Sequence, residues 1–179
     1  MAMRIINPTA SRATHSAEQM PHPAPRPREL AGLRVGLLEN TKRNAAAVLA
    51  DIGRSLAETD RTADLIPYRK EDFALPLPED FLAEISGTCD VVVIGVGDCG
   101  SCSASAVADG IALEALGIPT AVICTEAFEV TSRAMARLKG RDDFPFILTP
   151  HPVANLDEVQ VHERARILVD AVRARLLGA

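Results

Sequence analysis

Short apolar runs alternate with longer amphipathic segments from about residue 33 to the end of the chain. The runs are rich in Val, Ile and Leu, and the segments between them are rich in Ala, Leu, Glu and Arg. This alternation is typical of βαβ units, in which helices connect the strands of a parallel sheet. It predicts strands over residues 34–39, 64–68, 90–94, 119–125 and 145–149. It predicts helices over residues 43–58, 79–87, 103–116, 128–139 and 156–177.

The third predicted strand is a continuous β-branched run, Asp-Val-Val-Val-Ile, of the kind that is buried on both faces of a parallel sheet. In the first helix, Ala47, Leu49, Ile52 and Leu56 are expected on the buried face. A chain of 179 residues is long enough for one substantial core. We therefore predict a single α/β domain over residues 33–179, with a flavodoxin-like (Rossmann-like), doubly wound, mostly parallel sheet of about five strands.

Residues 1–32 differ from this pattern because prolines recur through them. Proline lacks a backbone donor and fixes φ, so the segment is predicted to be an extended Pro-rich arm. One interpretation is a disordered tail, and the other is an arm that wraps the domain or a neighbouring subunit. The second interpretation agrees with the homo-oligomer that we expect. The prolines are Pro8, Pro21, Pro23, Pro25 and Pro27.

Composition excludes several classes of partner. The formal net charge is -5 and aromatic residues are 3% of the chain, with no Trp, so no nucleic-acid partner is expected. The longest apolar runs are about a third of the roughly 20 residues that cross a bilayer, so no membrane partner is expected. Because no apolar run follows the first positive charge, we predict a cytoplasmic protein, whose four cysteines would not form a structural disulfide framework.

The cysteine loop after the third strand carries the most distinctive chemistry. Cys99-Gly-Ser-Cys102 lies between this strand and the next helix, at the carboxyl edge of the sheet, where α/β sheets bind ligands. Free N–H groups and the helix dipole at that position favour a thiolate. Cys99 is therefore the predicted nucleophile, and Cys102, one turn away, could resolve its adduct.

Three other interpretations of the cysteine loop are open. The C-x-x-C could be half of a zinc site, although the sequence offers no second C-x-x-C. Gly95, Gly97 and Gly100 also spell a G-x-G-x-x-G, the fingerprint of dinucleotide sites. The cysteines could instead be inert core residues, which suits Cys89 and leaves Cys124 undecided.

Polar residues at the other strand ends are candidates for proton transfer and substrate binding. Two prolines hold His151 in a stiff loop, where it could act as a general acid or base or cap the loop backbone. The segment after strand 1 could hold a carboxylate or phosphate, or simply cap its helix through Asn40 or Thr41. Asp98 could orient a neighbouring donor, but its charge would raise the pKa of the Cys99 thiol. The candidate substrate-binding residues are Asn40, Lys42, Asn44, Asp98, Ser101, Thr125 and Asn155.

Five further titratable residues are expected to be exposed without a role. Asp109 and Glu114 lie on the helix after the cysteine loop, His15 and His22 lie in the arm, and His162 lies in the last helix.

The sequence resembles the UGSC-type selenoprotein family, in which selenocysteine or cysteine occupies the first position of a U/C-G-S-C motif. The resemblance covers nearly the whole chain, and its most specific part is Gly-Asp-Cys-Gly-Ser-Cys followed by Gly-Ile-Pro. It includes Asn7-Pro8-Thr9, Pro25-Arg-Pro27, Leu-Glu-Asn-Thr-Lys-Arg-Asn44, Asp109, Glu114, Gly117-Ile-Pro-Thr120, Phe128 and His151-Pro152.

More distantly, the chain is similar to the selenoprotein B subunits of glycine, sarcosine and betaine reductases and of D-proline reductase. This similarity implies that Cys99 stands at the selenocysteine position with Cys102 as its partner, and that His151 and Asn155 lie in the facing loop. Those enzymes reductively remove an amine, and their pyruvoyl-bearing subunit would here be a separate partner. This chain has cysteine, a weaker nucleophile, in place of selenium.

The leading hypothesis is a thiol oxidoreductase, a reductase or reductive cleavage catalyst that acts on a small polar molecule. Cys99 attacks, Cys102 resolves, and His151 handles the proton, with a partner subunit or a thiol reductant as electron source and no bound cofactor or metal. One alternative is a cofactor-independent racemase or isomerase that uses Cys99 and Cys124. Another is a non-catalytic redox-sensing or metal-binding module.

Overall fold

A computed structural model describes residues 22–178, which form a parallel five-stranded sheet with helices on both faces. The strand order is β2-β1-β3-β4-β5, and every neighbouring pair is parallel. This order is that of flavodoxin-like sheets, so the predicted fold class is confirmed. The strands are β1 (Arg34–Glu39), β2 (Asp64–Arg69), β3 (Val91–Gly97), β4 (Thr120–Thr125) and β5 (Ile147–Thr149).

Five helices connect and follow these strands. A single 3-10 turn, Glu126–Phe128, precedes α4. The helices α1 and α5 cover one face of the sheet, and α2, α3 and α4 cover the other. The helices are α1 (Ala45–Asp60), α2 (Glu79–Thr88), α3 (Gly100–Ala115), α4 (Glu129–Leu138) and α5 (Glu158–Leu177).

The strand β3 lies at the centre of the sheet and is buried along its whole length. Its side chains alternate between faces, so that Val91 and Val93 pack with α1 and α5 while Val92 and Ile94 pack with α3. The helix α3 approaches the sheet closely because Gly110 has no side chain. A Cβ there would lie 2.5 Å from Cγ2 of Val122, which is too close for any side chain. This packing fixes the distance between α3 and the sheet, and with it the position of the cysteines at the first turn of α3.

Two predicted boundaries near the cysteines are wrong. The strand β3 continues through Gly95 to Gly97 because these residues still pair with Glu39 of β1 and Cys124 of β4. The helix α3 begins at Gly100 rather than at residue 103, because Cys99 already occupies its N-cap. The loop between β3 and α3 is therefore shorter than predicted.

Three expectations about exposure are also wrong. Ala47 is exposed, since the buried stripe of α1 runs through Val48 and Leu49. Asp109 and Glu114 are buried, with about 1% of each residue exposed. Each accepts hydrogen bonds and forms an ion pair with a cation from a neighbouring segment. Burial raises the pKa of the Asp109 carboxyl, and the charge of Lys70 opposes that rise.

The described part of the Pro-rich arm lies against the domain. The backbone N–H of Ala24 donates to Glu114 Oε2 at 2.7 Å, and the guanidinium of Arg26 donates to Oε1 at 2.7 Å. Leu30 is buried in the core on the α1 and α5 side. Residues 1–21, with Asn7-Pro8-Thr9 and His15, lie outside the described residues. A contact of the arm with a second subunit stays a prediction.

Within residues 22–178, no helix is both long and apolar enough to cross a bilayer.

Candidate functional site

The candidate site lies at the carboxyl edge of the sheet, where the ends of β1, β3, β4 and β5 meet. The loop after β3 carries the two cysteines, and the loops after β1 and β5 contact it. Between β1 and β3 the chain order reverses, which is where doubly wound sheets open their ligand crevice.

Cys99 and Cys102 lie on the first turn of α3 and are joined by a disulfide, with their Cα atoms 5.3 Å apart. Cys99 is the N-cap residue, and its sulfur accepts the backbone N–H of Cys102 at 3.2 Å. The hydroxyl of Ser101, which is exposed, lies 3.5 Å from the same sulfur. In the reduced chain these donors and the helix dipole would stabilise a thiolate on Cys99.

The two cysteines of this pair differ in their burial. Cys99 is half-buried, whereas Cys102 is completely buried. An incoming molecule therefore meets Cys99 first. A bridge across three residues stabilises a fold less than one that closes a long loop.

Asp98 connects the cysteine loop to the loop after β5. Its Oδ2 accepts the backbone N–H groups of Val153 and Ala154 at 3.0 and 2.8 Å, and its Oδ1 lies 2.9 Å from Nδ1 of His151. These donors solvate the carboxylate from the side of the β5 loop. The prediction that Asp98 orients neighbouring donors agrees with these contacts.

His151 is held at Nδ1. That nitrogen is also 3.2 Å from Oγ1 of Thr125, and the Thr125 hydroxyl donates to the carbonyl of Gly97 at 3.3 Å. Since both neighbours of Nδ1 are then acceptors, Nδ1 carries a proton and Nε2 is the acceptor in the neutral ring. Phe128 packs edge-on against the imidazole, with the ring centroids 5.4 Å apart. The side chain is 38% exposed, and neither sulfur is among its contacts in the described chain.

Asn40 closes the other side of the cysteine loop. Its backbone N–H donates to the carbonyl of Gly95 at 3.2 Å, and its Nδ2 donates to the carbonyl of Val96 at 2.8 Å. The second contact fixes the orientation of the amide, because only the NH₂ side can face a carbonyl. Its Oδ1 is buried and has no protein partner within residues 22–178.

The other residues predicted after β1 have different tasks. Asn44, not Asn40 or Thr41, is the N-cap residue of α1, and its side chain makes no capping bond, so the predicted side-chain capping is wrong. Its Nδ2 instead donates to the carbonyls of Val153 and Leu156 at 3.0 and 2.9 Å. Lys42 lies over the ring of Phe73, 4.1 Å from its centroid.

The structure therefore brings Asn40, Asn44, Asp98, Thr125 and His151 together around the cysteine loop. It directs Lys42 away toward the loop after β2, and it leaves Asn155 exposed beside the Asp98 contacts. Sequence reasoning did not assign Phe128 to the site. Its position in the short turn that follows β4 was the signal that could have found it.

The remaining two cysteines are buried in the core. Burial raises the pKa of Cys124 to about 11 and also raises the pKa of Cys89. A second catalytic thiol must be accessible and ionisable, so the position of Cys124 argues against the two-cysteine racemase.

The zinc and dinucleotide interpretations also lose support. Within residues 22–178, no three His, Cys, Asp or Glu side chains form a group that could hold a metal ion. Gly97 is required by packing, since a Cβ there would lie 2.8 Å from Cα of Ser103 and 2.9 Å from Sγ of Cys124. The central glycine of the pattern therefore has a structural cause that does not involve a pyrophosphate.

Comparison with known proteins identifies the family of the chain. Among solved structures, the diflavin flavoprotein A3 from Nostoc sp. matches at 17% identity with a TM-score of 0.42, over 83% of this chain and 98% of that chain. That similarity is too weak to bear on function. A search of curated proteins finds no significant match. The profile of the UGSC family matches residues 4–178, and the chain therefore belongs to the UGSC family.

Proposed function

We propose that this chain is a thiol oxidoreductase that reduces a small polar substrate, with Cys99 as the nucleophile and Cys102 as the resolving thiol. Family membership and the Cys99–Cys102 pair fit a redox-active cysteine module. The observation that carries the finer proposal is the unequal burial of two bonded cysteines at a helix N-terminus.

The reaction is a two-electron reduction. The Cys99 thiolate attacks the electrophilic atom R of a substrate R–X, forms an S–R bond, and X leaves with the bonding pair and takes a proton. The Cys102 thiolate then attacks the Cys99 sulfur. The S–R bond breaks, R leaves with the electron pair and is protonated, and the cysteines are oxidised to the disulfide. An external dithiol reductant restores both thiols by exchange.

Nε2 of His151, once it has taken up a proton from solvent, would pass it to the departing group. Its Nδ1 is committed to Asp98 and Thr125, so Nε2 is the ring nitrogen that can face a substrate. Asp98 is a positioning residue in this scheme, since it holds the imidazole in one tautomer. Asn40 Oδ1 could accept an N–H or O–H of the substrate, which would satisfy its missing hydrogen bond.

The experiment is alkylation of the fully reduced protein with iodoacetamide between pH 5 and 10, followed by mass spectrometry of the cysteine peptides. We expect Cys99 to react with an apparent pKa below the reference value of about 8.5. Cys102→Ser should keep this reactivity, and Cys99→Ser should lose it because Cys102 is buried. Cys124→Ser is the matched control and should behave like the wild type.

An aromatic disulfide such as 5,5′-dithiobis(2-nitrobenzoate) tests the resolving step. In the reduced wild type, Cys102 should displace the aromatic thiolate from Cys99, so that the protein ends as the internal disulfide and carries no label. Cys102→Ser should instead retain a stable mixed disulfide on Cys99. An apparent pKa of Cys99 at or above about 8.5, or a labelled wild type, would contradict the proposal.

A further inference from the structure

A cavity of about 550 Å³ lies beyond the carboxyl end of β2, apart from the cysteine loop. The connection between β2 and α2 forms one wall, and the first turns of α2 form another. Its volume is within the range of roughly 300–1,000 Å³ that is usual for small-molecule sites. Neither cysteine of the site lines it.

One part of the cavity wall is apolar. Leu75, Leu77 and Phe81 line it together with Pro76 and Pro78. Leu75 is 60% exposed, although a Leu side chain gains free energy when it is covered. A ligand with an apolar body would cover it.

The connection that forms the cavity is held from below by α3. The backbone N–H of Leu77 donates to Asp109 Oδ1 at 2.8 Å, and the hydroxyl of Ser105 donates to the carbonyl of Leu75 at 2.7 Å. Both partners are buried. The cavity is therefore preformed, which lowers the entropic cost of binding.

The charge of the cavity is negative because its two cationic residues are paired with carboxylates outside the cavity. Lys70 is 2% exposed and is paired with Asp109 and Ser105, and Arg69 is paired with Glu39 at 3.2 Å. Exposed carboxylates surround the opening, and none of them forms an ion pair within residues 22–178. They are Glu71, Asp72, Asp80 and Glu84.

We propose that this cavity is a binding site for a small amphipathic organic cation, whose apolar body lies against Leu75 and Phe81 and whose ammonium group faces the carboxylates. An anion would meet four like charges, and a purely polar cation would leave the apolar walls uncovered. The combination selects a molecule that has both properties. This site is separate from the thiol chemistry of Cys99.

Phenethylammonium is a suitable probe, with 2-phenylethanol as its neutral isostere and 3-phenylpropionate as an anion of the same class. Each is titrated into the ¹⁵N-labelled full chain, and the amide signals of Leu75, Leu77 and Phe81 are followed. We expect saturable shifts with phenethylammonium, about fivefold weaker binding of 2-phenylethanol, and no saturable shift with the anion. Raising the salt to 0.5 M should remove most of the difference between cation and alcohol.

Variants distinguish charge recognition from nonspecific apolar binding. Glu84→Gln should weaken phenethylammonium binding about threefold, and Asp80→Asn/Glu84→Gln about tenfold, without affecting 2-phenylethanol. Glu58→Gln, which removes an exposed carboxylate on α1, is the matched control and should leave both affinities unchanged. Equal affinity for the cation and the alcohol, an equal effect of Glu58→Gln and Glu84→Gln, or absence of shifts at the three amides would overturn the proposal.

Discussion

At the first turn of α3, Cys99 is half-buried and its sulfur caps the helix, whereas at the last turn the Glu114 side chain is completely buried. The two ends of this helix lie at opposite edges of the sheet. Cys99 faces the carboxyl edge, and Glu114 lies where β4 begins. Both residues belong to the pattern by which the chain resembles its family.

The contacts of Glu114 show a structural role. Its carboxylate accepts from the backbone of Ala24 and of Thr120, and it forms ion pairs with Arg26 and Arg175 at 2.7 and 3.3 Å. Burial lowers the pKa of Arg175 to about 10, and the nearby charge of Arg26 adds to that effect. One carboxylate thus ties the Pro-rich arm, the end of α5 and the start of β4 together. The side chain of Glu114 is completely buried, so a ligand cannot reach its carboxylate.

The contacts at the first turn of α3 leave reactive atoms uncommitted. Asp98 is also almost fully buried, but it holds a histidine whose second nitrogen is not committed, next to a sulfur at a helix N-terminus. The comparison teaches that burial of a carboxylate does not distinguish the two roles. The distinguishing feature is whether the groups that it holds retain a reactive atom.

The largest expected effect comes from removing the charge of Glu114 with the isosteric change Glu114→Gln. Arg26 and Arg175 would remain largely buried beside a neutral amide, so the free energy of unfolding should fall by about 3–5 kcal/mol. Urea unfolding followed by circular dichroism measures it. Glu126→Gln, on an exposed turn, is the control and should change stability by less than about 0.5 kcal/mol. A loss below about 1 kcal/mol for Glu114→Gln would contradict the structural role.

A second prediction extends the comparison to the thiols. Cys124 has a pKa of about 11 in the fold, against an ordinary value of 9.0, because burial disfavours the thiolate. The folded chain therefore holds this proton more tightly than the unfolded chain does. That contribution to stability is complete below pH 9 and is lost as the pH rises to about 11, by about 2–3 kcal/mol.

The measurement is the free energy of unfolding at pH 8, 9, 10 and 11 for the reduced wild type and for Cys124→Ala. The variant should start lower at pH 8 but lose less between pH 9 and 11. Cys99→Ser is the control and should keep the alkaline loss of the wild type. Parallel curves for the wild type and Cys124→Ala would show that the Cys124 thiol ionises without penalty.

The fold was predictable from the sequence because the β-branched runs and helix signals are local. The strand β1 was predicted with its observed bounds, and the cysteine loop was placed at the correct sheet edge. The burial of Asp109 and Glu114 was not predictable, since their partners Lys70 and Arg26 are 39 and 88 residues distant. The N-cap residue of α1 was not predicted for a related reason, because the Asn44 amide donates to the carbonyl of Val153, 109 residues away.

The smallest expected effect concerns Asp98, through the change Asp98→Asn. The amide oxygen can still accept from Val153 and Ala154, and the position lies at a half-open loop rather than among buried cations. The free energy of unfolding should therefore fall by only about 1 kcal/mol, within the range of one ordinary hydrogen bond. Urea unfolding under the conditions used for Glu114→Gln makes the two substitutions directly comparable. The amide NH₂ would then face Nδ1 of His151 and favour the other tautomer, so the resolving step should slow while alkylation of Cys99 persists. Equal stability losses for Asp98→Asn and Glu114→Gln would mean that both ends of α3 are structural, and the functional distinction between them would fail.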